Sequence, residues 1–249
     1  MRIGLIDVDS HNFPNLPLRK KGVNKWEMNK KKEIINAIER ISGKYSAYEV
    51  FTDWIRCMAM SISNSVTMFH GPIWKEREEV YMSTINKYSH DEQMAFCEMT
   101  AWLAETLDDG PDDILGDIYM KSGMGSKAAG QFFTPFHLSE LCAKLGINMD
   151  VLQADDLIKL NEPSCGGGGM IIAVARVLNE AGINYQQKLD VIAQDLDWKG
   201  VYMCYVQLSL LGIRAICVQG DTLIDPYDPK KTEASHKLYT PAKMGVLVI

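Results

Sequence analysis

The residues best placed to do chemistry in this sequence surround a run of four glycines. Asn161-Glu162-Pro163-Ser164-Cys165-Gly166-Gly167-Gly168-Gly169-Met170 follows an apolar stretch, Leu157 to Leu160, and leads into a helical one, Met170 to Glu180. A strand, a glycine-rich turn and a helix in that order make a ligand cradle. Glycines let the backbone come close to a ligand and take positive φ. The helix start adds free N–H groups and a partial positive charge. Asp195 stands twenty-nine positions after Gly166, just past a second apolar stretch. A carboxylate there can accept hydrogen bonds from both hydroxyls of a ribose. On these residues alone the ligand is either a dinucleotide or an adenosyl cofactor.

Three further features favour the adenosyl cofactor. A dinucleotide-binding unit needs no motif ahead of its loop, whereas here a distinct tract, Gly130-Gln131-Phe132-Phe133-Thr134-Pro135, precedes it. Glu162 stands immediately before Pro163, where a carboxylate can meet the cationic group of an amino acid. Gly220-Asp221-Thr222-Leu223 follows a third apolar stretch, where Asp221 can accept from an adenine amino group. An NAD-dependent enzyme remains the lower-ranked reading.

Other reactive residue types carry less. Asp7-Val8-Asp9, with His11 near it, has the makings of a phosphotransfer or metal site, but the supporting lysine and further acids are not evident. It reads as a solvated strand end. Cys165 has no histidine near it in sequence and reads as a small packing residue, not a nucleophile. His70, His90, His137 and His236 form no metal-ligand spacing, and no metal is expected. Asp225-Pro226-Tyr227-Asp228 follows no strand and reads as an Asp-Pro turn. The basic stretch Arg19, Lys20, Lys21, Lys25, Lys30, Lys31 and Lys32 reads as a solvated arm, with a DNA-backbone contact as the alternative. Met58, Met60 and Met68 read as core or helix packing.

These residues need elements to hold them. Residues 1 to about 28 read as an appended extension: a short strand from Arg2 to Asp9, then irregular chain. From Lys30 to about Gly123 the apolar spacing is helical. Ile34, Ile35, Ile38 and Ile41 mark one helix, and Tyr48, Phe51, Trp54, Ile55 and Met58 a second. Further helices are expected over Trp74 to Tyr88, Asp91 to Leu107 and Asp112 to Lys121. Gly123 to Gly130 reads as a loop. After it come a helix, Pro135 to Leu145, and then strands alternating with helices. The strands are Leu157 to Leu160, Leu189 to Gln194, Arg214 to Val218 and Gly245 to Ile249. The helices between them are Met170 to Glu180 and Trp198 to Leu211. That alternation predicts βαβ units and a parallel sheet. The expected division is an extension (1–28), a helical domain (29–125) and an α/β ligand-binding domain (126–249).

Composition bounds the function. A hydrophobic fraction of 47% with 23% charged residues is enough to bury a real core. A formal net charge of −6 argues against a stand-alone nucleic-acid binder, which needs clustered Lys and Arg. The six cysteines form no Cys-x-x-Cys pair, so neither a zinc framework nor a disulfide scaffold is indicated. Free cysteines suit a reducing cytoplasm. No signal peptide is evident, and no apolar run approaches the roughly 18 residues of a spanning helix, so no membrane partner is expected.

Four ordered motifs carry a resemblance to a known family. Gly130 to Pro135, Asn161 to Met170, Ala193-Gln194-Asp195 and Gly220-Asp221-Thr222-Leu223 together resemble the N6-adenine DNA methyltransferases, in particular the modification subunit of type I restriction-modification systems. Asp113-Ile114-Leu115-Gly116-Asp117-Ile118-Tyr119 is similar to the helix ahead of the Phe-Phe-Thr-Pro tract in that family. The similarity covers about residues 30 to 249. It implies an α/β fold with a Rossmann-like methyltransferase sheet, cut short here after the fourth strand, behind a helical N-terminal domain. It implies S-adenosyl-L-methionine as cofactor and adenine N6 in DNA as methyl acceptor. DNA would be reached through a separate specificity or target-recognition chain, in a homo- or hetero-oligomer in the cytoplasm.

The same resemblance implies roles for single residues. Gln131, Phe132, Phe133 and Thr134 would contact the cofactor, with Phe133 and Thr134 against its methionine part. Glu162 would face its amino group, with Ser164 close by. Gly166 and Gly168 would let the loop pass beneath it. Asp195 and Leu196 would hold the ribose side, and Asp221 and Thr222 the adenine. Glu162 stands where aspartate is commoner, and Asp195 where glutamate is commoner; both keep the carboxylate. The family's catalytic motif is Asn/Asp-Pro-Pro-Tyr/Phe, which holds the target amino group and stacks on the flipped base. No such tetrad occurs, and the sequence reaches Ile249 where it would begin, so no catalytic residue is assigned. Two functions follow: an adenine-specific DNA methyltransferase whose activity needs a partner chain, or a catalytically inactive regulatory or assembly subunit that binds the cofactor.

Overall fold

Two long helices begin where the sequence writes a reciprocal cap. Ser46 and Ser89 each accept a hydrogen bond from the backbone N–H three residues on. Glu49 and Glu92 accept in return from the Ser46 and Ser89 N–H groups. In this computed structural model the described residues are 25–122, 133–147 and 157–246. The first stretch is helical: α1 (Lys25–Ile41), α2 (Ala47–Ser65), α3 (Pro72–Ile85), α4 (His90–Asp108) and α5 (Ile114–Lys121). The isoleucine spacing of α1 buries Ile34, Ile38 and Ile41. α2 buries Phe51, Trp54 and Ile55 completely.

After α6 (Phe136–Gly146) the chain alternates. The order is β1 (Ile158–Glu162), α7 (Gly169–Glu180), a short α8 (Tyr185–Lys188), β2 (Leu189–Asp195), α9 (Trp198–Leu210), β3 (Arg214–Gln219) and β4 (Lys237–Tyr239). The sheet order is β1-β2-β3-β4. The first three strands are parallel, as the alternation predicts, and the fold is Rossmann-like α/β behind a helical segment. Of the expected fourth strand, Gly245 to Ile249, only the first two residues are described. β4 lies earlier in the chain and pairs antiparallel with β3. Gly245, read as the first residue of that strand, sits instead in a left-handed turn closing a 3-10 turn over Pro241–Met244. Residues 247–249 lie outside the described residues. Thr240, just past β4, ties the strand end to β3: its hydroxyl donates to the Ile213 carbonyl (2.7 Å) and accepts from the Ala215 N–H (2.9 Å).

α9 joins the two halves. From Lys199 to Ser209 all its residues are buried, as expected of a helix that is apolar on every side. It packs on β2 and β3 with one face and on α2, α4 and α5 with the other. One hydrophobic cluster therefore runs from Ile34 in α1 to Leu238 in β4. Each fully buried Val, Leu or Met of α9 contributes about 1.5–3 kcal/mol, so this helix anchors the sheet to the bundle.

Two minor expectations are also corrected. Met58 and Met60 are buried, but Met68 is 90% exposed beyond the end of α2. Lys30 and Lys31, read as part of a solvated arm, are in α1 and paired: Lys30 with Glu105, Lys31 with Asp112 and Asp117 at 3.3 Å each. The Asp7–His11 segment and the basic residues before Lys25 lie outside the described residues.

Candidate cofactor site

The glycine loop leaves β1 and is pinned to β2 within four residues. Cys165 N–H donates to the Gln194 carbonyl (2.9 Å), and Gly166 N–H donates to Asp195 Oδ2 (2.8 Å). Gly168 N–H returns to the Cys165 carbonyl at 2.8 Å and closes the turn. Gly168 then caps α7 with φ +93°, a conformation that strains any residue with a Cβ. A side chain there would also have no room: its Cβ would lie 3.1 Å from Cys204 Sγ of α9. A Cβ on Gly166 would lie 2.9 Å from the Phe133 ring. The glycines are thus required by the packing of α9 and Phe133 against the loop.

Three carboxylates converge on this loop. Parallel pairing sets Glu162 opposite Ala193 and Asp195 opposite Gln219. Each acid therefore stands two residues beyond the partner of the one before. With neighbouring strands about 4.8 Å apart and about 3.3 Å rise per residue, successive acids step roughly 8 Å across the sheet's carboxyl edge. Glu162 Oε1 accepts from Ser164 N–H (3.2 Å). Asp195 Oδ1 accepts from Asp197 N–H (2.9 Å), so each Asp195 oxygen already takes one backbone donor and keeps a second lone pair. Asp221 Oδ1 accepts from Leu223 N–H (2.9 Å), which orders the turn after β3. Thr222 Oγ1 donates to the Pro163 carbonyl (2.6 Å) and ties that turn to the glycine loop. Leu196 is 66% exposed, and its carbonyl accepts from Gln219 Nε2 (2.8 Å).

A sequence profile of the family described as "N-6 DNA Methylase" matches residues 111–240, just over half of the chain. The chain belongs to the N-6 DNA methylase family. No curated protein matches it in sequence. Among solved structures, it is similar to a protein described as a class I S-adenosylmethionine-dependent methyltransferase from Listeria monocytogenes, at 9% identity and TM-score 0.45, over 87% of this chain and 69% of that one. It is also similar to the type I restriction-modification system methyltransferase subunit from Streptococcus thermophilus, at 12% identity and TM-score 0.43, over 84% of this chain. The chain spans 61% of that subunit's length.

The matched N-6 DNA methylase region begins just before α5, and α5 and Phe133 complete the site. Phe133 and Thr134 line a cleft of about 360 Å³ whose other wall is Lys31, Asp112 and Asp117. The Phe133 ring packs on Tyr119 of α5 at 5.1 Å. Gln131 and Phe132 lie outside the described residues. Of the remaining expected contacts, the structure brings Phe133, Ser164, Gly166, Gly168, Glu162, Asp195, Asp221 and Thr222 to the loop and the adjoining carboxyl edge. Thr134 faces the α5 cleft, and Leu196 stands at the exposed rim.

Cys165 is buried, and its thiol is held well above the ordinary range, first by the hydrogen bond to Cys204 and then by burial. That leaves no thiolate for nucleophilic attack. Asp225 and Tyr227 belong to a turn held from β2: Gln194 Nε2 donates to the Asp225 carbonyl (2.9 Å) and its Oε1 accepts from Tyr227 N–H (2.9 Å). His70 stacks on Trp74 and His236 meets Trp198 edge-on, so both are packing residues.

Sequence reasoning missed three buried polar residues of the N-6 DNA methylase core. Gln194 is the clamp just described. Lys199, 4% exposed, donates to the Tyr119 hydroxyl (3.0 Å) and lies over the Tyr48 and Tyr119 rings. Gln207, fully buried, bridges α5 and the loop. The available signal was a polar residue inside an otherwise apolar helix, for Lys199 and Gln207, or strand, for Gln194; each is buried only when partnered.

Proposed function

We propose that the chain binds S-adenosyl-L-methionine at the carboxyl edge of β1, β2 and β3. On this reading it supplies the methyl donor for adenine-N6 methylation of DNA in an assembly of the type I modification kind. One observation carries the reading: Glu162, Asp195 and Asp221 stand at the ends of three adjacent parallel strands, around a glycine loop that opens a helix. The donor set fits the cofactor. Glu162 would meet its ammonium group, the second lone pairs on Asp195 its ribose hydroxyls, and Asp221 its adenine amino group. Phe133 would close the methionine end. When bound, the cofactor supplies an electrophilic methyl group on a sulfonium. The chain's own part is to orient it and keep water out.

The division of labour would follow the expected segments. Residues 126–249 hold the cofactor and residues 29–125 brace it, with residues 1–28 as an extension. DNA would be presented by a separate specificity chain, in the cytoplasm, where six free cysteines are at home. A second reading is a regulatory or assembly subunit that shares the same pocket. On that reading the chain binds the cofactor without doing chemistry.

Calorimetry with S-adenosylmethionine, S-adenosylhomocysteine and NAD tests the first claim. Binding of the two adenosyl compounds but not NAD is expected, with Asp195→Ala and Glu162→Ala at least tenfold weaker. No adenosyl binding would sink it. Transfer of a labelled methyl group to DNA separates the readings: incorporation lost in Asp195→Ala supports the enzyme, and none with any DNA or partner supports the binding subunit.

A further inference from the structure

We propose that Asp113 and Gln207 are a positioning pair that sets the backbone of the glycine loop, and through it cofactor affinity. The proposal rests on the cofactor reading above. Asp113 opens α5, and its Oδ1 accepts from Gly116 N–H at 3.0 Å, an ordinary helix cap. The cap is also bonded from far away. Gln207 Nε2 of α9 donates to the same Oδ1 (2.9 Å) and to the Gly167 carbonyl (2.8 Å). Gln207 Oε1 accepts from Leu115 N–H at 3.0 Å. Both amide hydrogens and the amide oxygen of Gln207 are therefore used. The flipped amide would place its oxygen against two acceptors, so the orientation is unique.

The fit around Asp113 is equally close. A Cβ on Gly169 would lie 2.9 Å from Asp113 Oδ2, and one on Gly116 would lie 2.2 Å from it. The carboxylate is wedged between the first turn of α5 and the first turn of α7. Asp113 is 5% exposed and Gln207 fully buried. Burial pushes the Asp113 carboxyl up to about 6, and the Gln207 hydrogen bond opposes that rise. The caps Ser46 and Ser89, by contrast, are exposed, and their described bonds lie within their own first turn. This cap is different because it reaches the loop.

The test is hydrogen exchange of residues 163–170 together with S-adenosylhomocysteine affinity, both measured well below the melting temperature. Gln207→Met keeps the volume and removes both donors. Faster loop exchange is expected, with affinity at least tenfold lower. Asp113→Ala behaves alike, and Asp113→Asn, whose oxygen can still accept from Gly116 and Gln207, recovers most of the affinity. Should Gln207→Met not fold, Gln207→Asn is compared in its place. Folded variants with wild-type exchange and wild-type affinity would overturn the pair, because a purely structural role lowers stability without moving the affinity of the folded fraction. A wild-type chain that binds no adenosyl compound would instead sink the cofactor reading, and with it the pair's role in affinity; the loop-exchange result then decides the backbone role alone.

Discussion

Gly168→Ala isolates what the packing of α9 demands of the glycine loop. The position has φ +93° and caps α7. An L-residue in that left-handed region costs about 1–2 kcal/mol. The new methyl would also lie 3.1 Å from Cys204 Sγ and 3.4 Å from Cys204 Cα. Cys204 is fully buried in a helix that cannot retreat, because the bundle packs on its far side. Overpacking of that kind costs about 1–3 kcal/mol. The sum is about 3 kcal/mol, which for a chain of this size lowers Tm by roughly 6–12 °C. Gly182→Ala is the control: its φ is +75°, but nothing lies within 4 Å of the added Cβ. It should cost only the conformational part, about 1–2 kcal/mol. Adding Cys204→Ala to Gly168→Ala removes the sulfur and should return about 0.5–1 kcal/mol beyond additivity. Thermal unfolding followed by circular dichroism, without ligand, gives all four values. Equal losses at Gly168 and Gly182, or strict additivity with Cys204→Ala, would refute the packing argument.

Three further outcomes follow from the same contacts. Asp113 has its carboxyl raised by burial from the ordinary aspartate value of 3.8 to about 6. A raised carboxylate pKa means its contribution is fully present below the unfolded value and is lost as pH rises through about 6. Wild type should therefore lose about 2.4 kcal/mol relative to Asp113→Asn between pH 4 and pH 7.5, read by urea unfolding; a flat difference refutes the burial. Asp53, 5% exposed, accepts from Arg56 Nη1, Lys87 Nζ and the Tyr88 hydroxyl at 3.0–3.1 Å. Asp53→Ala should cost about 2 kcal/mol and roughly 4–8 °C in Tm, since both cations can still turn to water; an unchanged Tm would contradict it. Asp195→Asn must point an amide N–H₂ at either Gly166 N–H or Asp197 N–H. About 2 kcal/mol of stability and at least tenfold in S-adenosylhomocysteine affinity should go together, and a loss of one without the other would break the link between loop and acid.

Much of the sheet half was readable because its signals are local. A strand ends, glycines follow, a helix starts, and an acid waits at the end of the next strand; every step lies within about thirty residues. Helix starts at Ser46 and Ser89 are equally local, since cap and partner are three residues apart. The short strand β4 escaped notice for the same reason. Lys237-Leu238-Tyr239 is only three residues long, yet it pairs antiparallel with β3. A strand that short is held by Thr240 and by its neighbour, neither of which periodicity registers.

The sequence by itself determined the order of elements, the glycine loop and the three carboxylates that a parallel sheet must bring to one edge. Their alignment follows from chain direction, strand pitch and pairing, which are the same in every parallel sheet. Only the tertiary structure decided what holds the loop in place. Asp113 and Gln207 are ninety-four residues apart, Gln207 and Gly167 forty, and Lys199 and Tyr119 eighty. Such pairs exist because α9 is buried on all sides, where an unpartnered polar group is costly. Which partner it finds depends on how helices pack, and no spacing along the chain records that.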